Sequence, residues 1–298
     1  MSGRSTPNIL CPELSKYEFY SSNSNCQGAK SVVSTYINTR SGKYVVIKTV
    51  IKAEQEDYYD EVNVLKSLIG VPGMCQYIEH FEDDDILYIV MEKINAVELY
   101  DFIISEDLPP SHRHVIYKIL LNLIANLHDN GIIHRDIKPS NIMISKNTLE
   151  KKTTYQLWLI DFGVSIFYDN RINCTNSGTW QYLSPEIFNK LDPSYADDVW
   201  ATAVTIYAME HMSMPFYSGS SDPNKLTLRY ANNVRNLNYI KRLSNNSNLN
   251  KLIYSLLTSA SDRLTASEAL NHPYFNKRHF GPKLITRPRK KHKNLLLS

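Results

Sequence analysis

The sequence runs to 298 residues, 43% hydrophobic and 21% charged, the balance of a folded globular chain long enough for two cores. No apolar run approaches the ~20 residues of a membrane-spanning helix, so an integral helical membrane protein is excluded. The net charge of +3 is unevenly placed: residues 276–298 hold eight Lys or Arg and no acid, so the excess belongs to a tail and says little about the folded body.

Residues 1–16 read as a polar arm that lacks the positive flank and long apolar stretch of a signal peptide. Strands are predicted next in KYEFY, SVVSTYI and YVVIKTV, which are rich in β-branched and aromatic residues and separated by Asn/Ser and Ser41-Gly42 turns. A helix is predicted over 54–69, where Tyr58, Val62, Leu65 and Ile69 recur at helical spacing behind a first turn crowded with acids. MCQYIEHF and ILYIVMEK form a hairpin around the acidic turn Glu82–Asp85. From residue 97 the pattern becomes mainly helical. SHRHVIYKILLNLIANLHDNG has a Ser111 cap, apolar positions at 115, 116, 119, 120, 123, 124 and 127, and a Gly131 stop, and further helices are expected over 195–212 and 248–258. The change of character near residue 95 marks a lobe boundary, giving an arm (1–16), a folded region (17–275, divided as 17–94 and 95–275) and a basic tail (276–298). Cys11, Cys26, Cys75 and Cys174 lack metal-ligand spacing and are expected as free thiols of an intracellular protein, cytoplasmic or nuclear. The sequence specifies no oligomeric state.

The most specific local signal is HRDIKPSN, residues 134–141, between GII and the apolar IMI. Phosphoryl transfer explains its residue types. Asp136 orients an attacking hydroxyl and accepts its proton, Lys138 offsets charge growing on the phosphoryl group, and Asn141 gives a neutral oxygen to a magnesium ion. Twenty residues on, LWLIDFGVS places Asp161 at a strand end, where it can hold Mg2+ bridging two phosphates. The intervening KNTLEKKTT reads as a lengthened hairpin tip. Lys48 closes VVIK on a strand, and Glu61 lies on the following helix as its partner. Further upstream, NCQGAKSVV matches a glycine-rich phosphate loop with Gly28 alone retained and Cys26 and Ser31 in the outer glycine positions. A looser lid with weaker ATP affinity follows. Downstream, SGTWQYLSPE (177–186), Asp198 in DDVWATAV and Arg263 in SDRLTASEALNHPYF supply structural positions, with Glu186 and Arg263 as a buried ion pair.

In this order, these motifs resemble the eukaryotic-type protein kinase family across residues ~17–275. The resemblance implies an α+β, bilobal fold: a β-rich N-lobe with one main helix, a mostly helical C-lobe and ATP in the cleft between them. It implies Met91 as gatekeeper, Glu92 and Ile94 offering backbone groups to adenine, Glu98 near the ribose, and Val33, Val46 and Met143 around the base. Tyr77, Leu65, Phe162 and His134 would form an internal stack. ATP and Mg2+ are the implied cofactors, with Mn2+ able to substitute. Lys138 with Thr179 matches the serine/threonine branch, whose substrates are proteins with Ser or Thr acceptors. Thr175 is the natural regulatory phosphosite, with Arg135 and Arg171 as partners for its phosphate. The compact chain, the lone loop glycine and the short run from Lys48 to Glu61 are also similar to kinases of large insect DNA viruses, the baculovirus type. Ser140 and Ala208 stand where well-known basophilic members carry acids, which puts a preference for upstream arginine in doubt, and Ala203 replaces a usual glycine, a small-for-small change expected to be tolerated.

Two other readings stand beside an active protein kinase. One is a nucleotide-binding pseudokinase, favoured by the lost glycines. The other is a small-molecule kinase of related fold, disfavoured by the segment GTWQYLSPE. The tail RPRKKHK (287–293) fits a solvated extension, with a nucleic-acid or acidic-surface contact and a nuclear-import signal as the functional alternatives.

Overall fold

A computed structural model describes residues 11–22, 31–54, 59–150, 152–171, 177–216, 230–235 and 247–276. The chain forms two compact units, one of residues up to Val71 plus Cys75–Asn95, the other of Pro72–Met74 and residues from Ala96 onward.

The first unit is a five-stranded antiparallel sheet in the order β1-β2-β3-β5-β4. Its strands are β1 (Tyr17–Ser22), β2 (Ser31–Asn38), β3 (Tyr44–Ile51), β4 (Tyr77–Glu82) and β5 (Ile86–Glu92). Side chains alternate between faces along each strand. One face gathers Tyr17, Val45, Ile47, Phe81, Tyr88 and Val90 into a core, with Phe81 stacked on Tyr88 at 5.2 Å. Burying each such side chain contributes roughly 1.5–3 kcal/mol. Cys11 lies in this core, and the 3-10 turn Pro12–Lys16 packs Leu14 against it. The stretch 11–16 is therefore part of the folded unit rather than of an arm: Cys11, Leu14 and Tyr17 recur every three residues, a short apolar stripe inside a polar segment.

Register puts Val33 opposite Lys48, Lys48 opposite Ile89, and Val46 opposite Met91, so these side chains share the other face. A bulge between Tyr77 and Glu79 turns Tyr77 to the Met91 side while Glu79 and Phe81 stay with the core. The helix α1 spans Asp60–Ser67, shorter than the 54–69 expected from spacing; Tyr58 lies outside the described residues. Ile69 falls beyond the helix and is exposed, because the chain leaves the helical path at Leu68 and its apolar spacing no longer maps onto a face.

The second unit begins with β6 (Val97–Glu98), α2 (Leu99–Ser105) and α3 (Pro110–Asp129). Pro109 rather than Ser111 is the N-cap of α3, since Pro110, which lacks an N–H, fits the first helical position. Val115, expected on the apolar stripe, is exposed, whereas Tyr117 and Leu121 are buried. Gly131 follows the helix with φ +75°, a left-handed turn that glycine makes freely. The short strands β7 (Ile132–Ile133) and β10 (Ile166–Phe167) pair antiparallel, and β8 (Ile142–Leu149) and β9 (Lys152–Leu159) form a hairpin paired out to Leu149 and Lys152. The lengthened tip is thus strand almost to its end.

The helix α4 (Pro185–Phe188) leads to α5 (Tyr195–His211), whose side chains from Asp197 to Met209 are all buried. A helix apolar all round belongs inside a helical core. Arg263 fixes the segment before α5: it donates to both Glu186 carboxylate oxygens, at 2.9 and 3.1 Å, and to the Ala196 carbonyl. Among the described residues no helix is long and apolar enough to cross a membrane. Cys11 and Cys75 are buried free thiols; Cys26 and Cys174 lie outside the described residues, as do most of residues 276–298.

Candidate active site

The turn from β7 to β8 carries residues 134–141. Asp198, 1% exposed, holds that turn from the first turn of α5. Its carboxylate accepts the backbone N–H of His134 (2.8 Å) and of Arg135 (2.9 Å) and meets His128 Nε2 at 3.0 Å. A buried carboxylate is tolerable only when hydrogen-bond donors replace the water it has lost, and three donors do so here. Because a carboxylate only accepts, His128 Nε2 is the protonated nitrogen. Arg135 takes φ +69°, a strained position for a side chain with a Cβ, and its bond to Asp198 helps to hold it. His134 is fully buried, places Nε2 3.2 Å from the Ile160 carbonyl and packs its ring 5.0 Å from that of Phe162.

Asp136 stands at the centre of the next group. Its Oδ2 accepts from Asn141 Nδ2 and from Lys138 Nζ, each at 2.9 Å. Its Oδ1 accepts from both the Thr179 backbone N–H and the Thr179 hydroxyl, each at 2.8 Å. Lys138 Nζ also donates to Thr179 Oγ1 at 2.8 Å. Three residues, the farthest 43 positions along the chain from Asp136, therefore fix one carboxylate through four donors and set an ammonium 2.9 Å from it. Gly178 allows the segment of Thr179 to come this close. Its φ is +108°, and a Cβ there would run into the Arg135 carbonyl oxygen. Behind it, Tyr182 is buried, and burial, helped by the charge of Asp136, pushes its phenol well above the usual range.

The Asn141 amide nitrogen is committed to Asp136, through both its carboxylate and its backbone carbonyl, so the side-chain oxygen is the atom this residue could offer a metal. Asp161 follows β9 with φ +61° and an exposed side chain. One carboxylate and one amide oxygen suit magnesium, which keeps waters and takes phosphate oxygens for the rest of its shell. Among the described residues no cluster of three or more His, Cys, Asp or Glu could hold a metal by itself, so phosphate oxygens would be needed to complete the set.

In the first unit Lys48 and Glu61 make a buried ion pair, Nζ to Oε2 2.8 Å and to Oε1 2.9 Å, with exposures of 7% and 2%. Val33, Val46 and Met91 sit on the Lys48 face of the sheet. Glu92 donates its N–H to the Gln76 carbonyl, so its own carbonyl is the backbone group it can offer a ligand; Ile94 follows, half-buried. In the second unit Glu98 pairs directly with Met143 across β6 and β8. Burial pushes the Glu98 carboxyl up and Asp101 adds to the shift, with Lys138 opposing. Leu65 is fully buried on α1, and Lys66 lies over the Tyr77 ring. Gly28 and Thr175 lie outside the described residues. Arg171 is already engaged, its guanidinium 3.8 Å from the centre of the Tyr168 ring.

Two links had no counterpart in sequence reading. The Thr179 clamp on Asp136 crosses 43 residues and leaves no spacing signal. His128 reads as a polar helix end in NLHDNG; its distance of six residues from His134 was the only local hint.

A protein kinase domain model matches residues 24–275. The chain is 31% identical over 289 residues to the serine/threonine-protein kinase cds1 of Schizosaccharomyces pombe, covering 91% of this chain and 61% of that protein. It is 30% identical to CDPK-related kinase 5 of Arabidopsis thaliana, covering 78% and 39%. It is 26% identical to calcium/calmodulin-dependent protein kinase type 1 of Caenorhabditis elegans, covering 77% and 64%. The chain thus spans less than two thirds of the length of these relatives. With that match spanning both units, and with a carboxylate clamped beside a lysine and an asparagine, the chain belongs to the protein kinase domain family.

Proposed function

We propose that this chain is a serine/threonine protein kinase that transfers the γ-phosphoryl group of ATP to protein hydroxyls with Mg2+ as its metal. The observation that carries the reading is the Asp136 carboxylate, held on both oxygens by Thr179, Asn141 and Lys138. A carboxylate so fixed can orient a substrate hydroxyl and take its proton as the new P–O bond forms. Lys138, beside it, offsets negative charge growing on the transferred group. Asn141 and Asp161 would hold the magnesium, which when bound neutralises phosphate charge. Lys48, kept in place by Glu61, offers its ammonium to the nucleotide phosphates, and Val33, Val46 and Met91 give the base an apolar surface.

Thr179 supports protein as the acceptor class. It sits at the end of a segment anchored by Glu186–Arg263 and by the Tyr230 hydroxyl on the Gln181 carbonyl, an ordered ledge beside Asp136 on which an extended peptide can lie. Incubating the protein with γ-labelled ATP, Mg2+ and a mixed protein substrate tests the reading. Labelling is expected for the wild type and lost in Asp136→Ala. A nucleotide-binding pseudokinase would bind ATP and label equally little in both, which would overturn the proposal.

A further inference from the structure

Asp198 draws its third donor from a side chain that rotates. His128 lies in the last turn of α3, and its imidazole meets the Tyr195 ring at 4.6 Å, tilted by 33°. Tyr195 opens α5 and stacks on Tyr168, which follows β10, at 4.4 Å and 17°. Tyr168 is itself pinned. Its N–H donates to the Gly131 carbonyl, the Arg171 guanidinium covers its ring, and Arg171 Nη1 donates to its carbonyl at 2.8 Å. Contacts therefore run without a break from Arg171 through two tyrosines and a histidine to Asp198, and from Asp198 to the backbone of His134 and Arg135, next to Asp136.

We propose that Tyr168 and Tyr195 are positioning residues for the catalytic turn, acting through His128 and Asp198. The proposal rests on the kinase reading for its activity arm only. Two of the three donors to Asp198 are backbone amides; the third stays aligned only while the imidazole keeps one rotamer. A ring packed against its side restricts that rotation. Were the imidazole to turn, the buried carboxylate would lose a donor and its own orientation would loosen. The amide most exposed to that change is that of Arg135, held at φ +69°. Arg171, just past the turn that holds Tyr168, closes the outer end of this chain of contacts. The rings, not their hydroxyls, make these contacts, so phenylalanine should serve in place of tyrosine.

The test compares wild type, Tyr195→Leu, Tyr195→Phe and Tyr168→Leu. Activity is read as kcat and as KM for ATP. The His128 tautomer is read from 15N-histidine NMR, and Arg135 amide protection from hydrogen exchange. Tyr195→Leu is expected to lower kcat about tenfold or more with KM for ATP nearly unchanged, since small misplacements of a catalytic group cost that much. His128 should change from a single Nε2–H form to a mixture, and Arg135 should exchange faster. Tyr195→Phe should keep the wild-type values. Tyr168→Leu reports the same link from its other end if Tyr195→Leu does not fold. An unchanged His128 tautomer in the leucine variants, or Tyr195→Phe behaving like Tyr195→Leu, would overturn the proposal. If the wild type transfers no phosphate, the kinase reading fails, and the NMR and exchange data still decide the positioning role.

Discussion

Thr179 grips Asp136 twice, with its backbone N–H and its hydroxyl both 2.8 Å from the same carboxylate oxygen. The hydroxyl also accepts from Lys138, so one side chain ties the carboxylate to the ammonium. Thr179→Ala keeps the backbone bond and removes the other two. Steady-state kinetics on this variant should show kcat down about tenfold to a hundredfold, in line with loss of aligned hydrogen bonds to charged groups. Thr179→Ser, which restores the hydroxyl, should recover most of the loss. A serine variant as impaired as the alanine one would show that the methyl group, not the hydroxyl, matters.

The Lys48–Glu61 pair separates stability from chemistry. Both partners are buried, so truncating one leaves an uncompensated charge, and Lys48→Ala should cost about 3–5 kcal/mol in urea unfolding. The double variant Lys48→Met, Glu61→Leu replaces the pair by apolar side chains and should regain most of that stability. It should still transfer no phosphate, because the ammonium is gone. Recovery of activity in the double variant would contradict the role given to Lys48.

Gly178 should tolerate no side chain. Alanine at φ +108° costs ~1–3 kcal/mol in backbone strain. Its Cβ would also press on the Arg135 carbonyl, next to Asp136. Gly178→Ala is expected to lower the melting temperature and to depress kcat more than Gly42→Ala, which meets nothing within 4 Å at a similarly left-handed turn. Equal effects at both positions would remove the case for a close approach at 178.

Legibility in the sequence followed the range of the interaction. HRDIKPSN could be read because its chemistry needs fixed residue types within eight positions, and the strands showed because β-branched runs repeat locally. The sides of the Lys48–Glu61 pair were legible as a strand lysine followed by a helix acid 13 residues on. The start of α3 falls at Pro110 rather than behind a Ser111 cap, since a proline, with no N–H to leave unpaired, suits the first helical position. Cys11 looked like part of a polar arm because burial there depends on the face of a sheet formed by strands up to 79 residues away. Thr179 on Asp136 and Tyr195 on His128 depend on tertiary closure, which spacing along the chain does not encode.

Two histidines predict the acid side of the stability profile. Burial pushes the His80 imidazole below its usual value, with Lys66 adding and the nearby Glu82 and Glu79 opposing. Burial does the same to His272, with Lys251 adding. The unfolded chain takes up these protons near pH ~6.5 while the folded chain does not. Their contribution is therefore full above about pH 6.5 and is lost as the pH falls through that value toward the lower folded one. Melting temperatures measured from about pH 7.5 down to 5.5 should fall for the wild type and fall less for His80→Gln, His272→Gln. Parallel curves would show that other groups govern this range.

The proposed role of Asp136 in phosphoryl transfer to protein hydroxyls is tested most directly by γ-labelled ATP and Mg2+ with a protein substrate, comparing wild type with Asp136→Asn, followed by identification of the labelled amino acid. The asparagine keeps the shape and can still bond Thr179 but cannot take a proton. The wild type should yield phosphoserine and phosphothreonine, and the variant about a hundredfold less or lower, the usual scale for loss of a general base. Equal labelling by the two proteins, or label confined to tyrosine, would contradict it.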